Sequence, residues 1–240
     1  MSTAVVIPML DEERALPALI AHVAHLDPAP TQVIAVDGGS ADRSVELARE
    51  AGWCVVETRA GRGRQINAGV EAALSVNVVV LHADTVPPED MIAVVEATLS
   101  DRSVSLAGFT PILRGPEKTR WITTAHNFLK TWYAPLLFRP HLFVKGCRLL
   151  FGDHAMFFRR AQFIASGGCD PEARVMEEAD LCIRMTRFGR VKLVPRMIET
   201  SDRRIAEWGA LKANWIYLKV GFLWGLGARE RLERYYPDVR

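Results

Sequence analysis

The sequence predicts an α/β domain in which a mostly parallel central sheet carries helices on both faces. Short apolar runs alternate with amphipathic stretches through the first half, as in consecutive strand–helix units. The chain has 240 residues, 49% hydrophobic and 24% charged, which is enough to bury one large core. No stretch rich in Pro, Gly or Ser divides it, so we expect one domain with a C-terminal helical extension.

The elements follow from the period of the apolar residues. Ser40 is expected to cap the second helix and Gly52 to end it, while Pro17 leaves the start of the first helix open. In the first half we predict strands at 4–8, 32–37, 53–58 and 76–84 and helices at 12–26, 40–52, 63–74 and 88–100. In the less regular second half we predict strands at 104–109, 154–160, 190–195 and 197–202 and helices at 119–138, 177–189 and 205–227.

Composition argues against several classes of protein. The net charge is only +2 and the basic residues are scattered, so nucleic acid is not an expected partner. The four cysteines lack Cys-x-x-Cys spacing, so we expect no zinc site but reduced thiols in a cytoplasmic protein, with Cys54 and Cys182 in the core. We expect no secretion signal, because the chain begins directly with a strand, and no membrane-spanning run of about 18 apolar residues.

The stretch VVVLHADT, residues 78–85, places Asp84 at the end of a predicted buried strand. Asp37 ends the second predicted strand in the same way. Parallel strands end at one edge of a sheet, and ligands bind there. Capping of a turn explains either aspartate alone, but Asp37 and Asp84 together favour a shared ligand or metal site.

No Gly-x-Gly-x-x-Gly follows the first strand and no P-loop is present, so dinucleotide and P-loop folds are not expected.

Five motifs occur in a specific order along the chain. The motifs are VVIPMLDEE, VDGGSADRS, GRGRQINAG, LHADT and MEEADLCIRM. With them the chain resembles family 2 glycosyltransferases of the GT-A fold over about residues 3–204. It is most similar to a small bacterial subgroup with LHADT and a second motif, here GDHAMFFRR at 152–160.

The resemblance implies an inverting transfer of a sugar from a nucleotide-diphosphate-sugar donor to a hydroxyl acceptor, either lipid-linked or a small molecule. It also implies a glycosyltransferase domain at 1–204, with a nucleotide-binding half at 1–100 and an acceptor and catalytic half at 101–204. An amphipathic helix and tail at 205–240 would follow. By its position in the family motif, Asp37 binds the base or ribose. The other residues expected at the donor are Pro8, Glu12 or Glu13, and the phosphate-binding candidates Arg62 and Arg64.

The guanidinium fork of arginine suits a diphosphate, although a solvated loop explains Arg62 and Arg64 equally well. The usual metal motif of the family is Asp-x-Asp, and here His82 replaces its first aspartate. The resemblance therefore implies that Asp84 binds a divalent cation, Mn²⁺ or Mg²⁺, with His82 beside it on the cation or the ribose. A purely structural role for His82 stays open.

A carboxylate is needed to take the proton of the acceptor hydroxyl. By position in the family motif this base is Glu178, where the family has aspartate. Asp180 remains a second catalytic candidate, although an ion pair with Arg184 four residues later also explains it. The whole acidic run can also simply favour a helix N-terminus.

Two further regions are assigned more loosely. Asp153 and His154 are expected on the acceptor side, and Arg203, Arg204 and Trp208 match a diphosphate-binding region of related enzymes. The last helix carries an apolar stripe from Trp208 to Phe222, and Arg229, Arg231 and Arg234 follow it. We favour core packing or a dimer face for this helix over peripheral membrane contact through 205–227.

Two other functions remain alternatives. A nucleotidyltransferase acting on sugar phosphates has a similar sheet and metal site, but the glycine-rich basic loop it needs after the first strand is absent. A non-catalytic nucleotide-sugar-binding protein would explain the unusual His82 and Glu178.

Overall fold

The computed structural model describes residues 1–115, 118–173 and 175–228. The strands of this part are β1 (Thr3–Met9), β2 (Gln32–Asp37), β3 (Cys54–Glu57), β4 (Asn77–Val80), β5 (Thr85–Val86), β6 (Val104–Arg114), β7 (Phe157–Arg159) and β8 (Arg190–Ser201). The helices are α1 (Leu16–Ala24), α2 (Ser44–Glu50), α3 (Arg62–Ala72), α4 (Met91–Ser100), α5 (Trp121–Phe138), α6 (Pro140–Val144), α7 (Arg160–Ala165), α8 (Glu177–Met185), α9 (Arg203–Trp208) and α10 (Ala210–Gly225). A 3₁₀ turn spans Gly152–His154.

The strands form one sheet in the order β3-β2-β1-β4-β7-β6-β8-β5. Strands β1 to β4 are parallel, as are β6 and β8, whereas β7 is antiparallel to both of its neighbours and β5 to β8. The mostly parallel α/β sheet predicted from the alternating pattern is confirmed. Because β1 pairs in register with both β2 and β4, the carboxyl ends of these three strands lie at the same edge.

Each face of the sheet packs against its own helices. In β1, Ala4 and Val6 belong to one buried cluster, whereas Val5 and Ile7 belong to the other, as the two-residue period of a strand requires. The first cluster continues into α3, α5, α8 and α10, and the second into α1 and α4. The domain therefore has three layers, with helices on both faces as predicted.

Helix α3 approaches β1 and β2 closely at Gly69. A Cβ at Gly69 would overlap Cγ1 of Val6 and lie 2.9 Å from Cγ2 of Val36. We expect Gly69→Ala to lower the free energy of unfolding by about 1–3 kcal/mol, because these buried strand side chains must shift. Gly221→Ala is the matched control, since its Cβ meets nothing within 4 Å and alanine favours the helix. Denaturant unfolding of both variants measures the effect, and equal stability would contradict the close packing.

The predicted helix at 205–227 is wrong in one respect. It is two helices, α9 and α10, because Gly209 between them has φ of +80°. The buried face of α10 is formed by Ala213, Val220 and Trp224, whereas most of the predicted apolar stripe is exposed. The preferred interpretation was core packing or a dimer face. Core packing of that stripe is therefore wrong, and the dimer face stays a prediction. No helix of the described residues is long and apolar enough to cross a membrane.

Several other boundaries differ from the predictions. The strands predicted at 190–195 and 197–202 are one strand, β8, in which a shift of register opposite Gly108 accommodates Pro195. The strand predicted at 154–160 is only β7, preceded by the 3₁₀ turn. Ser40 does not cap α2, because its hydroxyl donates to Asp37 instead.

Cys54 is exposed, contrary to the prediction that it lies in the core, whereas the other three cysteines are buried as expected. The arginines predicted at 229, 231 and 234 lie outside the described residues.

Candidate active site

A cavity of about 900 Å³ opens at the edge where β1, β2 and β4 end. Its floor is formed by residues that follow β1 and β4 and by the first turn of α3. Helices α5, α8 and α10 and the end of β8 supply the walls. Of the predicted site residues, those that line this cavity are Pro8, Glu12, Arg62, Arg64, His82, Asp84, Asp153, Glu178 and the more loosely assigned Arg203.

An arginine joins the two acidic residues at the floor of the cavity. Arg203 donates to both carboxylate oxygens of Glu12, at 3.2 and 3.0 Å, and to Oδ2 of Asp84 at 2.9 Å. Burial raises the pKa of the Glu12 carboxyl despite the Arg203 guanidinium beside it. The structure therefore places the guanidinium of Arg203, which was assigned to this region only loosely, against Asp84, the predicted metal ligand.

His82 lines the cavity beside Asp84. Burial, reinforced by the positive charge of Arg62, lowers the pKa of His82 to about 4. The imidazole is therefore neutral near pH 7, which is the form that binds a metal or accepts a hydrogen bond. Gly152 in the 3₁₀ turn packs directly against both the ring of His82 and the carboxylate of Glu178, which brings those two side chains to one place.

Glu178 faces the cavity from the first turn of α8. Its side chain is 4% exposed, and Nη1 of Arg62 lies 3.2 Å from its Oε1 and 3.5 Å from Oε1 of Glu177. A buried carboxylate needs such a charged partner. The predicted base and a predicted phosphate-binding arginine are therefore neighbours, although they are 116 residues apart in the chain.

Asp180 lies on the other side of α8. Its Oδ1 accepts a hydrogen bond from Nε1 of Trp224 at 3.2 Å, which ties α8 to α10. Asp180 is not among the residues that line the cavity. Arg184, its expected partner, donates to the carbonyl oxygen of Gly168. Of the two catalytic candidates, only Glu178 reaches the cavity.

The acceptor-side residues separate in the structure. Asp153 lines the cavity and lies 3.0 Å from Nδ1 of His154, whereas His154 is completely buried behind it. Burial would raise the pKa of the Asp153 carboxyl, but His154, Lys130 and Asn127 hold it well below its usual range. The acceptor prediction therefore rests on Asp153, and His154 supports it from behind.

Lys130 of α5 is a cavity residue that sequence reasoning missed. Its Nζ lies 3.7 Å from the centre of the Phe151 ring. Burial lowers the pKa of Lys130 to about 8, although the charges of Asp153 and Glu178 oppose this. Its position on a mid-helix turn gave no motif, because only the packing of α5 over the sheet edge brings it to the cavity.

Asp37 lies at the same sheet edge but is engaged by its own loop. Its carboxylate accepts hydrogen bonds from the backbone amides of Gly39 and Ser40 and from the Ser40 hydroxyl. It is 4% exposed and is not among the cavity-lining residues. Its role at the nucleotide therefore stays a prediction. Arg64, in contrast, lines the cavity and pairs with Glu172.

The packing of Gly152 gives a test of the site. A Cβ there would overlap Cε1 of His82 and lie 2.9 Å from Oε1 of Glu178. We expect Gly152→Ala to lower the rate of a reaction carried out in this cavity about 100-fold, because both side chains must move by roughly an ångström. Gly221→Ala is the control, since Gly221 also lines the cavity but has open space around it. Equal rates for the two variants would contradict this geometry.

Comparison with known sequences identifies a family for most of the chain. The model of glycosyl transferase family 2 matches residues 4–166. Uncharacterized glycosyltransferases of Mycobacterium bovis and Mycobacterium tuberculosis are 41% identical over 81 residues, which is 33% of this chain. The match spans only 35% of the length of these curated relatives.

Solved structures share the fold. Glucosyl-3-phosphoglycerate synthase from Mycobacterium tuberculosis, in complex with phosphoglyceric acid, superposes with a TM-score of 0.65 and 20% identity over 99% of this chain and 81% of that one. Residues 1–349 of TarS from S. aureus, in complex with UDP, give a TM-score of 0.61 and 14% identity over 88% of this chain and 64% of that one. These neighbours confirm the GT-A type of α/β fold.

Proposed function

The chain belongs to glycosyl transferase family 2, and we propose that it transfers a sugar from a nucleotide-diphosphate sugar to a hydroxyl acceptor with inversion at the anomeric carbon. The observation that carries this proposal is that Asp84 and Glu178, the matches to the metal ligand and base of the family, line the same cavity. They come from opposite halves of the chain and meet only in the fold.

The structural neighbours support a donor and cation of this kind. The synthase from Mycobacterium tuberculosis has been solved with Mn²⁺, UDP-glucose and phosphoglyceric acid, with a TM-score of 0.64 and 21% identity over 99% of this chain. TarS has been solved with UDP-GlcNAc. By analogy we propose a nucleotide-sugar donor and a divalent cation, Mn²⁺ or Mg²⁺, for this chain.

The residues of the site fit a cation that is completed by its substrate. Asp84 offers a partly exposed carboxylate and His82 a neutral imidazole at the cavity floor. Among the described residues no group of three or more His, Cys, Asp or Glu side chains is arranged to hold a metal. Such a site takes its other ligands from phosphate oxygens and water. The bound cation supplies charge that stabilises the leaving diphosphate.

The surrounding arginines complete the binding of the diphosphate in this proposal. Arg203 would release Asp84 to a cation and would keep its bidentate contact with Glu12, so that its charge would stay beside the phosphates. Arg62 and Arg64 enter from the first turn of α3 and add positive charge at the cavity floor. Asp37, Pro8 and Glu12 stay our candidates for the nucleoside end.

Glu178 then acts on the acceptor. As the acceptor oxygen bonds to the anomeric carbon, its proton passes to the Glu178 carboxylate, and the bond from that carbon to the diphosphate oxygen breaks. The electron pair of that bond leaves with the diphosphate. Attack from the side opposite the leaving group inverts the configuration. Asp153 and Lys130, which line the cavity near Glu178, are placed to contact the acceptor.

The direct test is turnover of donor sugars. The protein is incubated with UDP-, GDP-, TDP- and CDP-sugars, with Mn²⁺ or EDTA, and the released nucleoside diphosphate is measured by chromatography, water serving as a slow acceptor. One donor consumed only with the cation supports the proposal. Pyrophosphate formed from a nucleoside triphosphate and a sugar phosphate would instead establish the nucleotidyltransferase alternative. Donor binding without any turnover, even with added alcohols and lipids as acceptors, would support the non-catalytic one.

Three finer assignments stay predictions. They are membership of the bacterial subgroup with LHADT, the division of the chain at residue 204, and membrane contact through residues 205–227.

A further inference from the structure

Helices α5 and α10 expose apolar side chains next to each other. On α10 the exposed residues Leu211, Trp215, Leu218 and Phe222 recur at helical spacing, and Trp215 is 67% exposed. On α5 the exposed residues include Trp121, also 67% exposed, and Leu129. The two helices touch, since Asn214 donates to Thr123 and the ring of Phe222 meets that of Phe138 at 6.0 Å. We call this the α5–α10 surface.

The charge of these segments is entirely positive. Residues 118–152, which contain α5 and α6, and residues 208–228, which contain α10, have no Asp or Glu. Their lysines and arginines are Lys118, Arg120, Lys130, Arg139, Lys145, Arg148, Lys212 and Lys219. The whole chain has 30 basic and 28 acidic residues, so the rest of it is net acidic. Lys130 faces the cavity and Arg120 pairs with Asp202, whereas Lys118, Lys145 and Lys212 are exposed. No acidic side chain of these segments offsets the exposed lysines.

The combination is that of a helix pair lying on an anionic bilayer. Exposed tryptophans and leucines enter the region between headgroups and acyl chains, while lysines and arginines contact anionic headgroups. Lys145 and Lys212 are exposed beside Val144 and Leu211, which are among the most exposed apolar residues described. A second copy of the chain fits this surface less well, because two such faces would bring like charges together.

The same helices form a wall of the candidate active site. On their inner sides, Lys130 of α5 and Tyr217 of α10 line the cavity. We propose that the α5–α10 surface docks on an anionic lipid membrane and that the acceptor hydroxyl belongs to a lipid of that membrane. The second part rests on the proposed glycosyltransferase function, whereas the docking itself does not.

Co-sedimentation of the full chain with lipid vesicles tests the docking. We expect binding to vesicles of phosphatidylcholine with phosphatidylglycerol, weaker binding to phosphatidylcholine alone, and loss of the difference in high salt. Trp215→Ser with Leu218→Ser should weaken binding by roughly tenfold or more, because buried apolar area is lost. Lys212→Gln, in α10, should weaken binding to anionic vesicles about fivefold.

Matched control variants distinguish vesicle binding through this surface from nonspecific binding by any exposed leucine or lysine. Leu74→Ser removes a leucine that is as exposed as Leu211 but lies after α3, and Lys192→Gln removes an exposed lysine of β8. Both should bind vesicles like the wild type. Because all the altered side chains are exposed, thermal midpoints should be unchanged. If Trp215→Ser with Leu218→Ser unfolds early, Trp121→Ser replaces it.

Three results would overturn the docking proposal. The first is equal binding to neutral and anionic vesicles. The second is full vesicle binding by Trp215→Ser with Leu218→Ser. The third is a dimer in light scattering that this double variant dissociates, in a protein that binds no vesicles.

Donor turnover in water is measured on the same samples. Vesicle binding without donor turnover would contradict the proposed function alone, and donor turnover without vesicle binding would contradict the docking alone. If the protein docks, organic extracts of the vesicles should contain a glycosylated lipid, and a water-soluble product in its place would contradict the lipid acceptor.

Discussion

Glu178→Gln is expected to lower the rate of sugar transfer by about 10²- to 10⁴-fold, the usual contribution of a general base. Glutamine keeps the length of the side chain and still accepts a hydrogen bond from Arg62, so the first turn of α8 should keep its geometry. Affinity for the donor should therefore be unchanged. Single-turnover rates measured beside donor affinities by calorimetry distinguish loss of chemistry from loss of binding.

Asp180→Asn is the matched control for this prediction. Asp180 is two residues away on the same helix, but its carboxylate accepts a hydrogen bond from Trp224, which asparagine can preserve. We expect this variant to keep most of its transfer activity. If Asp180→Asn abolishes transfer while Glu178→Gln retains it, the assignment of the base is wrong.

Asp84→Ala is expected to remove the dependence of donor binding on a divalent cation. Loss of an outer partner of a metal ligand costs about 10- to 100-fold in affinity, and loss of the ligand itself should cost more. Arg203 remains held by Glu12 in this variant, so the cavity keeps one cationic group for the phosphates. Titration of Mn²⁺ in the presence of the nucleoside diphosphate measures the effect.

Asp90→Ala serves as the control for Asp84. It also removes a carboxylate paired with an arginine, Arg196, but at the surface rather than in the cavity. Its cation and donor affinities should match the wild type. If Asp84→Ala keeps the Mn²⁺ dependence of the wild type, then Asp84 is not the metal ligand.

The sequence predicted the first half of the fold well because its signals are local. Strand β2 lies where the apolar run ends at Asp37, and α3 begins within one residue of its predicted start. In the second half, the predicted element boundaries are wrong where long-range contacts determine the structure. Two strands were predicted at 190–195 and 197–202, but the pairing of β8 with β6 continues between them through a register shift. Gly209 gave only a weak helix-breaking signal within an otherwise helical pattern.

The candidate site divides in the same way. Motif order predicted Asp84, Glu178 and Arg62, which the fold brings to one cavity. It could not predict that Arg203 lies against Asp84, because that contact joins residues 119 positions apart. The backbone conformation directly before α8 could not be predicted from the sequence either. Met176, directly before α8, has φ of +67°, a strained value for methionine that sets the direction of the turn carrying Glu178.

The most direct test of the central claim is thermal unfolding with UDP, GDP, TDP and CDP, each with and without Mn²⁺. A ligand at 100 times its Kd stabilises by about 2.7 kcal/mol, which for a domain of this size raises Tm by roughly 5–11 °C. We predict that one nucleoside diphosphate gives this shift only with Mn²⁺, and that Asp84→Ala does not show it. A shift with none of the four, or one that Mn²⁺ and Asp84→Ala leave unchanged, would contradict a metal-assisted donor site in this cavity.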